Sequence, residues 1–435
     1  MMTSVTIGLR RAFAIAALTM ILAAPTPAAA QGRNTACSVV GQNLFVRDAM
    51  TDIYLWSDAV PNVDPAIFGS PEAYLEAVRY LPLDHTFSYI TPRASNDAFY
   101  SDSQFIGYGL STSTADGGMR VLQVFAGSPA EEAGLARGDR IQEINGRSIA
   151  DLRRDGELEG AFGPSQIGVE RDVAFTHGGA PVMAHMVKRL VTIPTVSLTR
   201  IYRVGSRTVG YVFFRNFVEP SFAALDAAFS EMRDAGVNEL VLDLRYNGGG
   251  LVSVAQHLAS LIGGSRTDGQ VFATYFHNRD NAFRNRTIRF EPKANALAVD
   301  RVFVITTQGS ASASELVINA LRPFIPVILI GDRTYGKPVG QYQFPFCDKV
   351  LAPVSFSLKN AAGEGDFFDG LQPTCTAADD AAHQLGDESE ASLHEAFVFV
   401  ETGRCSTAQP AAAARRQRAS PDRPLAGWQA LLGAF

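Results

Sequence analysis

The chain has 435 residues, 46% of them hydrophobic and 19% charged, which supplies a large core and excludes a disordered or collagen-like polymer. A net charge of −6, from 38 Lys and Arg against 44 Asp and Glu with no basic block, argues against nucleic acid as the main partner. Four cysteines exclude a disulfide-built miniprotein and a multi-cluster metal protein but allow two bridges, and the length predicts two or three domains.

Arg10 and Arg11 precede an apolar run at residues 12–24, followed by Pro25, Pro27 and Ala28-Ala29-Ala30. This charged, apolar, small-residue order predicts a signal peptide at residues 1–30, cleaved after Ala30; the apolar run is short of the ~20 residues a spanning helix needs. Asn34-Thr35-Ala36 before Cys37 lacks the apolar residue of a lipidation signal. No later stretch is long and apolar enough to span a bilayer. The mature chain is therefore expected to be soluble and exported, periplasmic or extracellular, where disulfides persist.

Residues 42–58 carry apolar side chains at helical spacing, and Ser70-Pro71-Glu72 opens a second helix, so residues 31–104 are predicted to be mostly helical. From about Phe105 short β-prone runs, 121–125 and 140–144, alternate with Gly, Pro and Asn turns, a β-rich module at 105–190. Beyond it the pattern predicts strand 209–214, helix 220–235, strand 239–244, helix 251–262, strand 301–306, helix 312–322 and strand 326–330. This is an α/β core, at 191–405, with a parallel or mixed sheet. Residues 406–435, rich in Ala and Arg, are expected to form a flexible tail.

Three strand-end turns carry the chemistry. Gly309-Ser310-Ala311-Ser312-Ala313-Ser314-Glu315 joins a strand to a helix. Its small neighbours admit a substrate backbone to a hydroxyl, and the helix N-terminus supplies N–H groups where an oxyanion would form. Alone, it reads equally well as a Ser314 helix cap. Gly336-Lys337 follows another strand, and no His lies in any of these turns, so a serine nucleophile would need a lysine base. Neutrality near pH 7 requires the Lys pKa to fall by roughly three units from about 10.4, which burial can supply. Gln341, four residues on, is placed to orient the amine. Arg245-Tyr246-Asn247-Gly248-Gly249-Gly250 lacks the endings of a P-loop or dinucleotide motif but exposes backbone N–H groups that would complete an oxyanion hole.

Taken in order, Asp243-Leu244-Arg245-Tyr246-Asn247-Gly248-Gly249-Gly250, Ser310-Ala311-Ser312-Ala313-Ser314-Glu315 and Thr334-Tyr335-Gly336-Lys337 resemble the C-terminal processing (tail-specific) serine peptidases, family S41. The resemblance implies Ser312 as nucleophile, Lys337 as base, Gln341 as its support, and the N–H groups of Gly250 and Ala313 as oxyanion donors. Ser310 and Ser314 are left structural, Ser314 as the helix cap. It also implies a multidomain α/β fold: a helical N-terminal segment, a PDZ-like domain and a crotonase-like (ClpP/crotonase-type) peptidase core.

Residues 126–135, with Gly138-Asp139-Arg140-Ile141 and Ile144-Asn145-Gly146, resemble a PDZ domain. Its carboxylate loop falls on Gly107-Tyr108-Gly109-Leu110, which would hold the C-terminus of a protein or peptide partner. Leu83-Asp84-His85-Thr86-Phe87-Ser88-Tyr89-Ile90 resembles the family's N-terminal part and Asp369-Gly370-Leu371-Gln372-Pro373 a late core turn. One departure is Pro338, where the family places Gly; proline removes an N–H and extends the backbone at Lys337. The expected activity is an exported endopeptidase working through an acyl-enzyme, without cofactor or metal. The alternatives are a catalytically silent PDZ-type scaffold and a crotonase-like acyl-CoA enzyme; the latter leaves the PDZ-like segment unexplained. Of three cysteine pairings, Cys347 with Cys375 and Cys37 with Cys405 are favoured.

Overall fold

The computed structural model of the chain describes residues 37–114 and 118–406. The expected signal peptide at 1–30 and all but the first residue of the expected tail lie outside the described residues. No helix among the described residues is long and apolar enough to cross a membrane.

The core is a six-stranded sheet whose strands lie side by side in chain order: Val196–Val204, Arg207–Phe214, Glu239–Asp243, Val302–Thr306, Val327–Gly331 and Cys375–Thr376. The first pair is antiparallel and every later pair parallel. One face, with Val212, Leu242, Val304 and Leu329, packs on the helices Ser221–Asp234, Val252–Gly263 and Ala313–Leu321. The other, with Tyr211, Val241, Phe303 and Ile330, packs on Leu393, Ala396 and Phe397 of the helix Ala391–Thr402, which is absent from the elements predicted above. Burial on both faces is why these strands read as unbroken apolar runs rather than alternating ones. Because the strands are parallel, the turns that follow 239–243, 302–306 and 327–331 emerge along one edge, where open α/β sheets place their ligands.

The N-terminal segment is less helical than its sequence suggests. The first helix, Val39–Asp52, is capped by Ser38, whose hydroxyl accepts from Gly41 N at 3.2 Å. It stops short of residue 58 because Leu55 N–H pairs instead with Val354 O at 2.8 Å. Ser70 caps the helix Pro71–Val78 as expected, through Ala73 N. Residues 83–88 form a turn, and Tyr89–Pro92 is a strand paired antiparallel with Lys349–Ala352. Tertiary pairing overrides local propensity at both places.

In the β-rich module the strands Leu110–Ser113, Met119–Val124, Arg140–Ile144, Glu170–His177 and Ala180–Val187 form an antiparallel sheet around Tyr108, Val121, Ile141 and Phe175. Arg137 fastens it to the core: its guanidinium donates to Leu122 O of the module, and to Tyr246 Oη at 2.7 Å and His383 O at 2.9 Å of the core.

The cysteine pairing corrects the sequence expectation: Cys37 bonds Cys347, and Cys375 bonds Cys405. Cys37 stands just ahead of the first helix, whose Phe45 stacks on Phe346 at 4.8 Å, so the chain start meets the turn that carries Cys347. Cys375 lies on the edge strand packed under the helix Ala391–Thr402, which hands the chain to Cys405.

Candidate active site

The serine turn leaves the end of strand Val302–Thr306. Ser310 is structural, its hydroxyl donating to Leu244 O at 2.7 Å. Ser312 sits at φ 56°, ψ −112°, a positive φ that an L-residue adopts only under constraint, and it is half-buried between the buried Ala311 and Ala313. The constraint has two parts. Glu315 Oε2 accepts from Ser312 N at 2.8 Å, and Asn247 O accepts from Ala311 N at 3.1 Å and from Ser314 Oγ at 2.8 Å. Ser314 is thus not the helix cap expected from sequence. The helix begins at Ala313, so Ser312 takes the cap position and Ser314 lies inside the first turn, its hydroxyl spent on the neighbouring loop.

That neighbour is the glycine turn. Gly249 and Gly250 have φ of 102° and 141°. A Cβ on Gly249 would lie 2.8 Å from Ser312 Cβ and 2.9 Å from Ala313 N; one on Gly250 would lie 2.1 Å from Phe217 O. Only glycine allows this approach. The N–H of Ala313, first in its helix, and that of Gly250 have no acceptor among the described residues, and both border the same cleft as Ser312. Beneath the turn, Arg245 is fully buried and bridges Asp243 and Glu390, with Nη1 at 2.7 Å and Nη2 at 2.9 Å from the Glu390 oxygens. Tyr211 Oη donates to Asp243 at 2.8 Å.

The lysine turn is tied to the serine turn by one carboxylate. Glu315, fully buried, accepts from Gly336 N at 2.7 Å and Thr334 Oγ1 at 2.5 Å through Oε1, and from Lys337 N at 2.9 Å through the same Oε2 that holds Ser312 N. Burial raises the Glu315 pKa, and these four donors hold it back. Lys337 is 7% exposed. Burial pushes its pKa down to about 8, against the opposing pull of the Asp84 and Glu315 carboxylates. No hydrogen bond joins its amine to Ser312 or Gln341 among the described residues. Gln341 Nε2 donates instead to Phe87 O at 2.6 Å, and the Phe87 ring lies 5.8 Å from Lys337 Nζ. Pro338 lines the cleft just before the edge strand Val339–Gln341, a place where a missing N–H costs the sheet no bond.

Ser312, Ala313, Gly250, Lys337 and Gln341 line one cleft of about 160 Å³, whose further walls include the apolar Leu251, Leu316 and Phe356 as well as Tyr89, Tyr100 and Gln343. The expected carboxylate loop is elsewhere, in the β-rich module. Tyr108 is fully buried under Lys188 Nζ at 5.2 Å, and Gly109 has φ 85°. Their carbonyls are taken by Ala130 N and Phe125 N, while the N–H groups of Tyr108 and Gly109 have no acceptor among the described residues. Gly107 closes the preceding strand Gln104–Gly107 and Leu110 opens the next, paired with Val124. Asn247, Glu315 and Phe87 touch these candidate residues, and sequence reasoning passed over them. Only Glu315, next to the serine cluster, carried a local signal.

Comparison with known proteins gives three matches in chain order. Residues 41–89 match the peptidase S41 N-terminal domain, 120–158 a PDZ domain and 208–376 peptidase family S41. A carboxyl-terminal-processing protease of Synechocystis is 28% identical over 231 residues, covering 53% of this chain and 52% of that protein. A carboxy-terminal processing protease of Bacillus subtilis is 30% identical over 253 residues, 57% and 50%. The chain thus spans about half the length of these relatives. A solved structure from Bacteroides fragilis, described as an S41 protease, superposes with a TM-score of 0.66 at 26% identity, over 82% of this chain and 97% of that one.

Proposed function

The chain belongs to peptidase family S41, and from that premise we propose that it is an exported serine endopeptidase that takes protein substrates by their C-terminal tails. The observation that carries this reading is the Glu315 carboxylate, whose single oxygen Oε2 fixes both the strained Ser312 and the buried Lys337 on one cleft. In the reaction the neutral Lys337 amine takes the Ser312 proton as Oγ attacks the scissile carbonyl, and the N–H groups of Gly250 and Ala313 hold the oxyanion. The amine returns the proton to the departing peptide nitrogen. It then takes one from the water that hydrolyses the acyl-serine. The present lack of a Ser312–Lys337 hydrogen bond suits a resting site, since such contacts tighten when substrate arrives.

Tail recognition is assigned to the module, where the Tyr108 and Gly109 amides would bind the terminal carboxylate of an added strand. Export rests on the charged, apolar, small order of residues 10–30. The test is to incubate the wild type, Ser312→Ala and Lys337→Ala with an unfolded protein bearing an apolar C-terminus. Cleavage by the wild type alone is expected; equal activity in all three overturns the assignment. Amidating the tail should weaken binding about tenfold or more, and an unchanged affinity sinks the carboxylate reading.

A further inference from the structure

Two carboxylates act on the charge of the Lys337 amine, Asp84 from the N-terminal segment and Glu315 from the core helix, and Tyr89 and Tyr100 line the same cleft. Both carboxylates favour the charged ammonium. A lysine that serves as a base must be kept dry against that pull. The turn at 84–88, some 250 residues upstream in sequence, brings an aromatic face to within 5.8 Å of Nζ and a backbone carbonyl to Gln341, at 2.6 Å.

That turn is built to be rigid. Asp84, fully buried, accepts from Phe87 N and Ser88 N at 2.9 Å through Oδ1, and from Ser88 Oγ at 2.6 Å and Tyr54 Oη at 2.9 Å through Oδ2. Thr86 Oγ1 meets Tyr335 Oη at 3.0 Å, and the Phe87 ring packs edge-on to Tyr335 at 6.1 Å, two residues before the lysine. Phe87 itself is 8% exposed, so its ring is spent on the interior. The disulfide from Cys37 to Cys347 ties the same N-terminal segment to the core.

Taking Lys337 as the base proposed above, we infer that Phe87 is a positioning residue: its ring walls water from the Lys337 amine, and its carbonyl anchors Gln341 beside it. The N-terminal segment is then half of the catalytic base rather than an accessory to the core.

The experiment follows Lys337 itself, not turnover alone. In Ser312→Ala, the pH dependence of acetylation of Lys337 by acetic anhydride, read by mass spectrometry, reports its titration whether or not the protein cleaves peptides. Added Phe87→Ala should hydrate the amine and raise the midpoint by about one unit, Phe87→Val should raise it less, and Phe87→Leu, which keeps the site dry, should leave it in place. With Ser312 restored, Phe87→Ala should lower kcat/KM roughly tenfold at pH 7, recover toward pH 10, and regain activity as Phe87→Leu. A midpoint unmoved in folded Phe87→Ala or, should that variant not fold, in Phe87→Val, overturns the inference while leaving the peptidase reading intact. A shifted midpoint in a protein that cleaves nothing overturns the peptidase reading and leaves the positioning role standing.

Discussion

The nucleophile turn and the base turn hang from neighbouring parallel strands, yet they are held by different parts of the chain. Ser312 is constrained by residues of the core: Asn247 on the turn of the neighbouring strand, Gly249 against its Cβ, and Glu315 one helical turn on. Lys337 shares the Glu315 anchor, but it is burial that pushes its proton affinity down, against the pull of Asp84 in the N-terminal segment and of Glu315, and the Phe87 ring of that segment lies 5.8 Å from its amine. A nucleophile needs a fixed angle of approach, which a tight turn supplies. A lysine base needs the exclusion of water from every side, and one strand-end turn cannot surround an amine.

The largest expected effect removes both ends of this comparison. Ser312→Ala and Lys337→Met should each lower kcat by about 10⁴-fold or more, and the double variant little further, because the two act as a unit. Their stabilities should part. The folded Lys337 pKa of about 8 lies below the ~10.4 of an unfolded lysine, so folding disfavours the charged form, and wild-type stability should rise with pH between these values. Lys337→Met should lack that rise and melt no lower than the wild type at pH 7, whereas Ser312→Ala should keep it. Melting temperatures from pH 6 to 10.5 check this, and a parallel pair of curves would place Lys337 in water.

Next is Glu315→Gln, which aims at what the two turns share. The new NH₂ faces at least one backbone N–H whichever way it points, Gly336 on one side or Ser312 and Lys337 on the other, so about 2–4 kcal/mol of stability and about 10²-fold or more in kcat should be lost, by chemical denaturation and steady-state kinetics. A variant that lost stability but kept kcat would show that the clamp serves folding alone.

Gly249→Ala sharpens the nucleophile side only. The added methyl meets Ser312 Cβ and Ala313 N below 3 Å, so kcat should fall about tenfold to a hundredfold while the Lys337 acetylation midpoint stays near 8. The smallest catalytic effect is expected on the base side. Replacing Cys37 and Cys347 by Ser should cost about 2–4 kcal/mol of stability, with the pH–rate profile kept below melting, because the turn at 84–88 retains its own hydrogen bonds. The acid limb of the wild-type profile should have its midpoint near 8 in both measurements.

Much of this was legible in sequence because it is local. Unbroken apolar runs such as Leu240-Val241-Leu242 announce strands covered on both faces, and the seven core elements predicted from sequence lie within one or two residues of their observed bounds, while the strand Val196–Val204 and the helix Ala391–Thr402 were not foreseen. Small residues around Ser312 and consecutive glycines at 248–250 mark turns that must admit close approach, and the resemblance named their roles. The cap lies two residues before Ser314 because Ser-Ala repeats offer three equivalent hydroxyls, and only tertiary partners distinguish them, the Leu244 carbonyl taking Ser310 and the Asn247 carbonyl Ser314.

The amino-acid sequence by itself determined seven elements of the core, their order along the chain and the residue types brought to one sheet edge, because periodicity and turn chemistry act over a few residues. Tertiary structure alone decided the pairing of Cys37 with Cys347 and Cys375 with Cys405, the stopping of the first helix by Val354, and the placing of Phe87 over Lys337. Each joins residues far apart in the chain, or depends on a face that exists only once the layers have packed. No local preference encodes the water that packing removes.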